Sequence, residues 1–98
     1  MSIRHVVCFR FHPDTDPARV AALAEALRAL PPKIPEISAY LVGPDLDLNP
    51  TTWDFAVTAD FASVADFETY RDHPDHQAAI ATFVVPITAE RIAVQFTA

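Results

Sequence analysis

Glycine is almost missing from this chain. Gly43 is the single glycine among 98 residues. A glycine-rich phosphate-binding loop is therefore excluded, because such loops need several positions without a Cβ. Cysteine is equally scarce. Cys8 stands alone, which rules out an intramolecular disulfide and makes a reducing, cytoplasmic compartment the expectation. Positive charge is also short: seven Lys and Arg stand against thirteen Asp and Glu, a net charge of −6. The basic residues form no cluster. That argues against nucleic acid and against anionic membranes as partners, since phosphate binding needs concentrated Lys and Arg. No apolar run is long enough to span a bilayer, and Ser2-Ile3-Arg4-His5 shows no signal-peptide core.

What remains is the composition of a folded domain. Apolar residues make up 51 % of the chain, enough for one modest core. The length suggests a single domain over residues 1–98. No repeat, linker or low-complexity segment divides it.

The hydrophobic patterning alternates between strand and helix periods. Ile3 to Phe11 reads as a strand, with Ile3, His5, Val7, Phe9 and Phe11 on one face. His5 shares that face with four large apolar side chains and should point to the core side. Cys8, on the other face, reads as a small apolar residue rather than a nucleophile. Asp16 is a good N-cap, and Pro17 suits the first helical position. From there Val20, Leu23, Leu27 and Leu30 form an amphipathic stripe that Pro31-Pro32 ends. Ile37 to Val42 reads as a second strand, closed by Gly43-Pro44. Asp45 to Thr52 is a polar loop. Asp45, Asp47 and Asn49 alternate there like calcium ligands, but the glycine and distal glutamate of such a loop are missing, so no metal is expected. Trp53 to Phe61 is the clearest strand. Ser63 with Asp66 opens a second helix whose stripe holds Val64, Phe67 and Tyr70. Pro74 breaks it, a further helical segment spans about Asp75 to Val85, and Pro86 stops that. Arg91 to Phe96 alternates as a last strand, with Ile92, Val94 and Phe96 expected inward.

The order β-α-β-β-α-β predicts a ferredoxin-like α+β fold: a four-stranded antiparallel sheet with its helices on one face. The other face would carry Val6, Cys8, Tyr40, Val42, Ala56, Thr58 and Ala93. It is too apolar for a comfortable solvent face, so a homodimer packed through the open sheet face is expected.

The chemistry concentrates in Tyr70-Arg71-Asp72-His73-Pro74-Asp75-His76, which holds two of the four histidines and one of the two tyrosines. Three readings fit. A histidine can move a proton next to a carbonyl while a tyrosine hydroxyl holds the oxygen that gains charge, with His5 reaching the same cavity from the first strand. His73 and His76, with Asp72 and Asp75, can supply metal ligands, though Pro74 distorts their spacing. Or the imidazoles bond to backbone groups freed by the break.

Three stretches together resemble the stress-responsive A/B barrel (Dabb) domain: Arg4-His5-Val6-Val7-Cys8-Phe9-Arg10-Phe11, Trp53-Asp54-Phe55-Ala56 and Tyr70-Arg71-Asp72-His73-Pro74-Asp75-His76. The resemblance covers essentially the whole chain and implies a dimeric α+β barrel, two ferredoxin-like units packed sheet to sheet. Most members have no established activity. A plant polyketide cyclase of the family closes its substrate by aldol condensation between sheet and helices. By similarity its catalytic tyrosine and histidine map to Tyr70 and His76, and a further pocket histidine to His5. Its second tyrosine falls near Leu27, so the pocket wall here would be more apolar. The expectation is a protein that binds a small apolar or aromatic ligand between sheet and helices. The alternative is a cofactor-free cyclase or lyase-type enzyme with His76 as base, Tyr70 as hydrogen-bond partner and His5 as pocket polar group. His73 is expected to belong to the kink.

Overall fold

The computed structural model describes residues 2–98. Its elements follow the expected order: β1 (Ile3–Phe11), α1 (Pro17–Arg28), β2 (Ile37–Pro44), β3 (Phe55–Phe61), α2 (Val64–Asp72), α3 (Pro74–Ala79) and β4 (Thr88–Thr97). A π-helical turn, Ile80–Val84, continues α3. The strands form one antiparallel sheet in the order β2-β3-β1-β4. The sheet is open, with β2 and β4 at its edges.

Local signals act as the patterning predicts. The Asp16 carboxylate accepts from the backbone N–H of Ala18, and the Ser63 hydroxyl accepts from that of Asp66. Each satisfies a helix-start donor that would otherwise lack a partner. Leu23, Leu27 and Leu30 are buried against the sheet together with Ile34. Phe9, Phe55, Val57, Ala59 and Phe61 meet them from β1 and β3. Phe55, Phe61, Leu23 and Ile34 are the largest fully enclosed side chains. The scarcity of glycine leaves a trace in the loops: among the described residues, the left-handed positions fall to Asp14 and Asp47. Aspartate tolerates that region better than most side chains do, and Asp45 secures the second by accepting from the Asp47 N–H and the Thr52 hydroxyl.

Two expectations about the strand faces are corrected. Tyr40 and Val42 lie on the helix side, not the open side. The pairing of β2 with β3 shifts between Ile37 and Ala39, so Tyr40 comes opposite Ala59 and Val42 opposite Val57, both core positions. A β-bulge of this kind reverses the alternation after it. Leu41 takes the open face instead and is 74 % exposed. In β4 the inward set is also reversed. Gln95 pairs with His5, Ala93 with Val7 and Arg91 with Phe9, so these three share the helix side with their core-facing partners. Ile92, Val94 and Phe96 project from the open face and are 54 %, 55 % and 45 % exposed. Ala93, expected on that face, is replaced there by larger apolar groups. Smaller differences concern Trp53, which precedes β3, and Val64, which is exposed.

Candidate functional site

A cavity of about 700 Å³ lies between the sheet and the helical layer. Its walls are mostly apolar, with Val7, Phe9, Leu27, Val57, Ile80 and Val84 among them. His5, Tyr70 and His76, expected from the sequence to share a pocket, all line it. The reversed faces add Tyr40, Arg91 and Gln95, none of which the sequence pattern marked. Leu27 stands in the wall, buried and apolar.

The helix break explains where His76 sits. Pro74 ends α2 after Asp72, and His73 becomes the cap between α2 and α3, its Nδ1 accepting from the Asp75 N–H at 3.1 Å. In an unbroken helix that N–H would serve the carbonyl of Arg71, four residues earlier. The break leaves that carbonyl in need of donors. His76 supplies one through Nδ1 at 3.0 Å, and the Gln77 side-chain amide supplies another at 2.6 Å. A carbonyl only accepts, so His76 Nδ1 carries the hydrogen, and in the neutral ring Nε2 keeps its lone pair. The structural reading holds for His73, which serves the kink, and for one nitrogen of His76, which repairs the backbone; the other nitrogen of His76 keeps its lone pair.

His5 has the opposite tautomer. The Gln95 side-chain amide nitrogen, at 2.7 Å from His5 Nδ1, can only donate, so Nε2 bears the hydrogen. His5 is 5 % exposed and packs against the rings of Phe67 and Tyr70, with centroids 5.0 and 6.3 Å away. Burial, with help from the nearby charges of Arg91 and His76, lowers its pKa to about 4. Burial also lowers that of His76, against the opposing effect of the Arg71 carbonyl. Both imidazoles are thus neutral at neutral pH. One offers an N–H and the other a lone pair.

The tyrosines form a pair. The Tyr40 and Tyr70 hydroxyls are 2.9 Å apart, and burial raises the pKa of both. Two hydroxyl hydrogens serve one mutual bond, so the second remains available as a donor. The Tyr70 ring packs on His76 at a tilt, with centroids 4.0 Å apart at 30°. The Phe61 ring packs against Tyr70 with centroids 5.0 Å apart. The site therefore combines rigid packing with four polar groups whose protonation the environment sets.

Those features define a class: a ferredoxin-like α+β unit with a mostly apolar cavity between sheet and helices and a few polar groups in its wall. The chain matches the stress responsive A/B barrel domain over residues 3–98 and belongs to that family. An uncharacterised protein of Streptomyces coelicolor is 32 % identical over 81 residues, covering 81 % of this chain and 84 % of that one. A crystal structure from Thermobifida fusca, described as a dimeric ferredoxin-like protein of unknown function, is 44 % identical with a TM-score of 0.93, over 100 % of this chain and 92 % of that one. The hydroxynitrile lyase of Passiflora edulis is similar with a TM-score of 0.83 over 97 % of this chain and 91 % of its own, but at 20 % identity that likeness is one of fold alone.

Proposed function

We propose that the cavity binds a small, largely apolar or aromatic molecule that carries at least one oxygen able to meet the tyrosine and histidine groups. The observation that carries this is the convergence of Tyr40, Tyr70, His5 and His76 on a space of about 700 Å³ whose remaining walls are mostly apolar. Sites for small molecules have this makeup, an apolar enclosure with a few placed polar groups. The test is a thermal-shift screen with hydrophobic keto acids and phenols, repeated on Tyr70→Phe. A ligand at ten times its Kd stabilises by about 1.4 kcal/mol. That raises the midpoint by roughly 6–11 °C for a domain of this size. The shift should shrink in the variant. No shift with any compound would defeat the proposal.

A second reading is supported by the tautomer of His76. Its Nε2 lone pair can take a proton from a carbon beside a carbonyl while the free hydroxyl hydrogen of the tyrosine pair meets the oxygen that gains charge. In that reading the protein is a cofactor-free cyclase or lyase-type enzyme acting on a keto or polyketide-like compound, with His5 as a further polar group. His76→Ala would then abolish turnover without unfolding the chain, because Gln77 still serves the Arg71 carbonyl. An unchanged rate would remove His76 from the chemistry.

The working unit in this proposal is a homodimer joined through the open sheet face. Leu41, Ile92, Val94 and Phe96 are the large apolar groups it would cover, and the similar protein from Thermobifida fusca is described as dimeric. A lone cysteine suits the reducing cytoplasm. Among the described residues no helix is long and apolar enough to cross a membrane.

A further inference from the structure

The charge lining the cavity differs in sign from that of the chain. The protein is acidic overall, at −6, yet among the described residues no Asp or Glu lines the cavity, whereas Arg71 and Arg91 do. Arg71 is already engaged, at 2.9 and 3.0 Å with Asp72 and 3.8 Å with Glu68. Arg91 has no carboxylate partner among the described residues. Of the two arginines among the described lining residues, Arg91 is thus the one whose charge is not paired.

A second group points the same way. The Thr88 hydroxyl is buried at the cavity and has no hydrogen-bond partner. Residues three apart on a regular strand face opposite sides. Here the pairing of β4 with β1 shifts between Arg10 and Phe11, with Glu90 opposite Arg10 and Thr88 opposite Phe11. The extra residue, Ala89, brings Thr88 and Arg91 round to one wall. An unpaired buried hydroxyl is costly, and one on the same cavity wall as an unpaired guanidinium calls for an acceptor from outside the chain. Arg91 lies four residues from Gln95 on the same face, about 13 Å along the strand, so the backbone positions of Arg91 and Thr88 lie away from the His5–Gln95 end of that wall. The Arg91 charge is felt by His5, Tyr70 and His76 alike.

Resting on the ligand-binding reading above, we infer that the ligand is a carboxylate. Its anionic group meets Arg91 and Thr88, its apolar body lies along the wall of Val84 and Ile80, and its far end reaches the tyrosine–histidine cluster. A guanidinium forks onto a carboxylate through two parallel N–H donors, and the hydroxyl adds a third.

The test compares 5-phenylpentanoate with its primary amide, 5-phenylpentanamide, by isothermal titration calorimetry at pH 7. The two differ in charge but hardly in size. Wild-type protein should bind the acid about tenfold or more tightly than the amide, the range of charge-assisted hydrogen bonds. Raising the salt should weaken the acid and leave the amide unchanged, because Arg91 is exposed enough to be screened. Arg91→Gln should abolish the preference, Arg91→Lys should restore part of it, and Thr88→Val should weaken the acid several-fold. Equal affinities in wild type, or a preference that survives Arg91→Gln, would overturn the carboxylate inference while the cavity reading stands. Failure of both compounds to bind wild type would count against the cavity reading as well.

Discussion

His5 offers a quantitative test of how the cavity and the fold are linked. The group is enclosed by Phe67 and Tyr70, held by Gln95, and faced by His76 and the charge of Arg91. Among the described residues, no carboxylate lines the space around it. Its pKa falls from 6.5 to about 4 on folding, so the unfolded chain binds the proton more readily. Stability is therefore full above about pH 6.5 and is lost as the pH drops toward 4, below which the loss levels off. At about 1.36 kcal/mol per pH unit, the whole descent amounts to about 3 kcal/mol. That is a large share of the roughly 5–15 kcal/mol typical of a folded domain. His76 titrates in the same direction, so the two must be separated. Urea unfolding at fixed protein concentration from pH 4 to 7.5, on wild type and on His5→Phe, does so. The variant keeps the remaining histidines, and its curve should be shallower by up to one proton across this window. The Asp60 and Asp72 carboxylates, held low by Arg4 and Arg71 respectively, also weaken the fold at the acid end of the range, but they are present in both proteins and cancel in the comparison. Parallel curves for the two proteins would refute the placement of a neutral, buried His5.

Two further outcomes test the packing. Val94→Glu puts a charge on the open face, on the edge strand β4 where Val94 pairs with Val6; light scattering at micromolar concentration should then give the mass of one chain against two for wild type, and a single-chain mass for wild type would remove the dimer. Leu23→Ala empties a fully enclosed site under the sheet and should cost about 2–5 kcal/mol in chemical unfolding, whereas a loss below 1 kcal/mol would contradict its place in the core.

The legible part of the protein is the part written in short-range pattern. Asp16 and Ser63 announce helix starts because a side-chain oxygen reaches an N–H two or three residues on. The stripe of Leu23, Leu27 and Leu30 announces a buried helix face, and the alternation of β1 places His5 inward. Pro74 announces the break, and with it the stretch from which Tyr70 and His76 come. All of these depend on residues within a few positions of one another.

The rest of the site was hidden by ambiguity that only pairing resolves. In β4 the local pattern favours the wrong alternation, because Ile92, Val94 and Phe96 form a more apolar set than Arg91, Ala93 and Gln95. The open face takes the apolar set and the cavity takes the polar one, a choice set by register against β1 more than eighty residues away. Tyr40 was hidden because a single bulge in β2 reverses its side, and nothing in Ile37-Ser38-Ala39-Tyr40 marks where the bulge falls. By itself, the sequence determined the order of elements, the family resemblance, and the Tyr70–His76 cluster, because each arises from local propensity and spacing. Only the tertiary structure decided that Tyr40 meets Tyr70, that Gln95 meets His5, and that Arg91 and Thr88 share the cavity wall. Those contacts follow from strand registers, which long-range packing sets and local pattern does not encode.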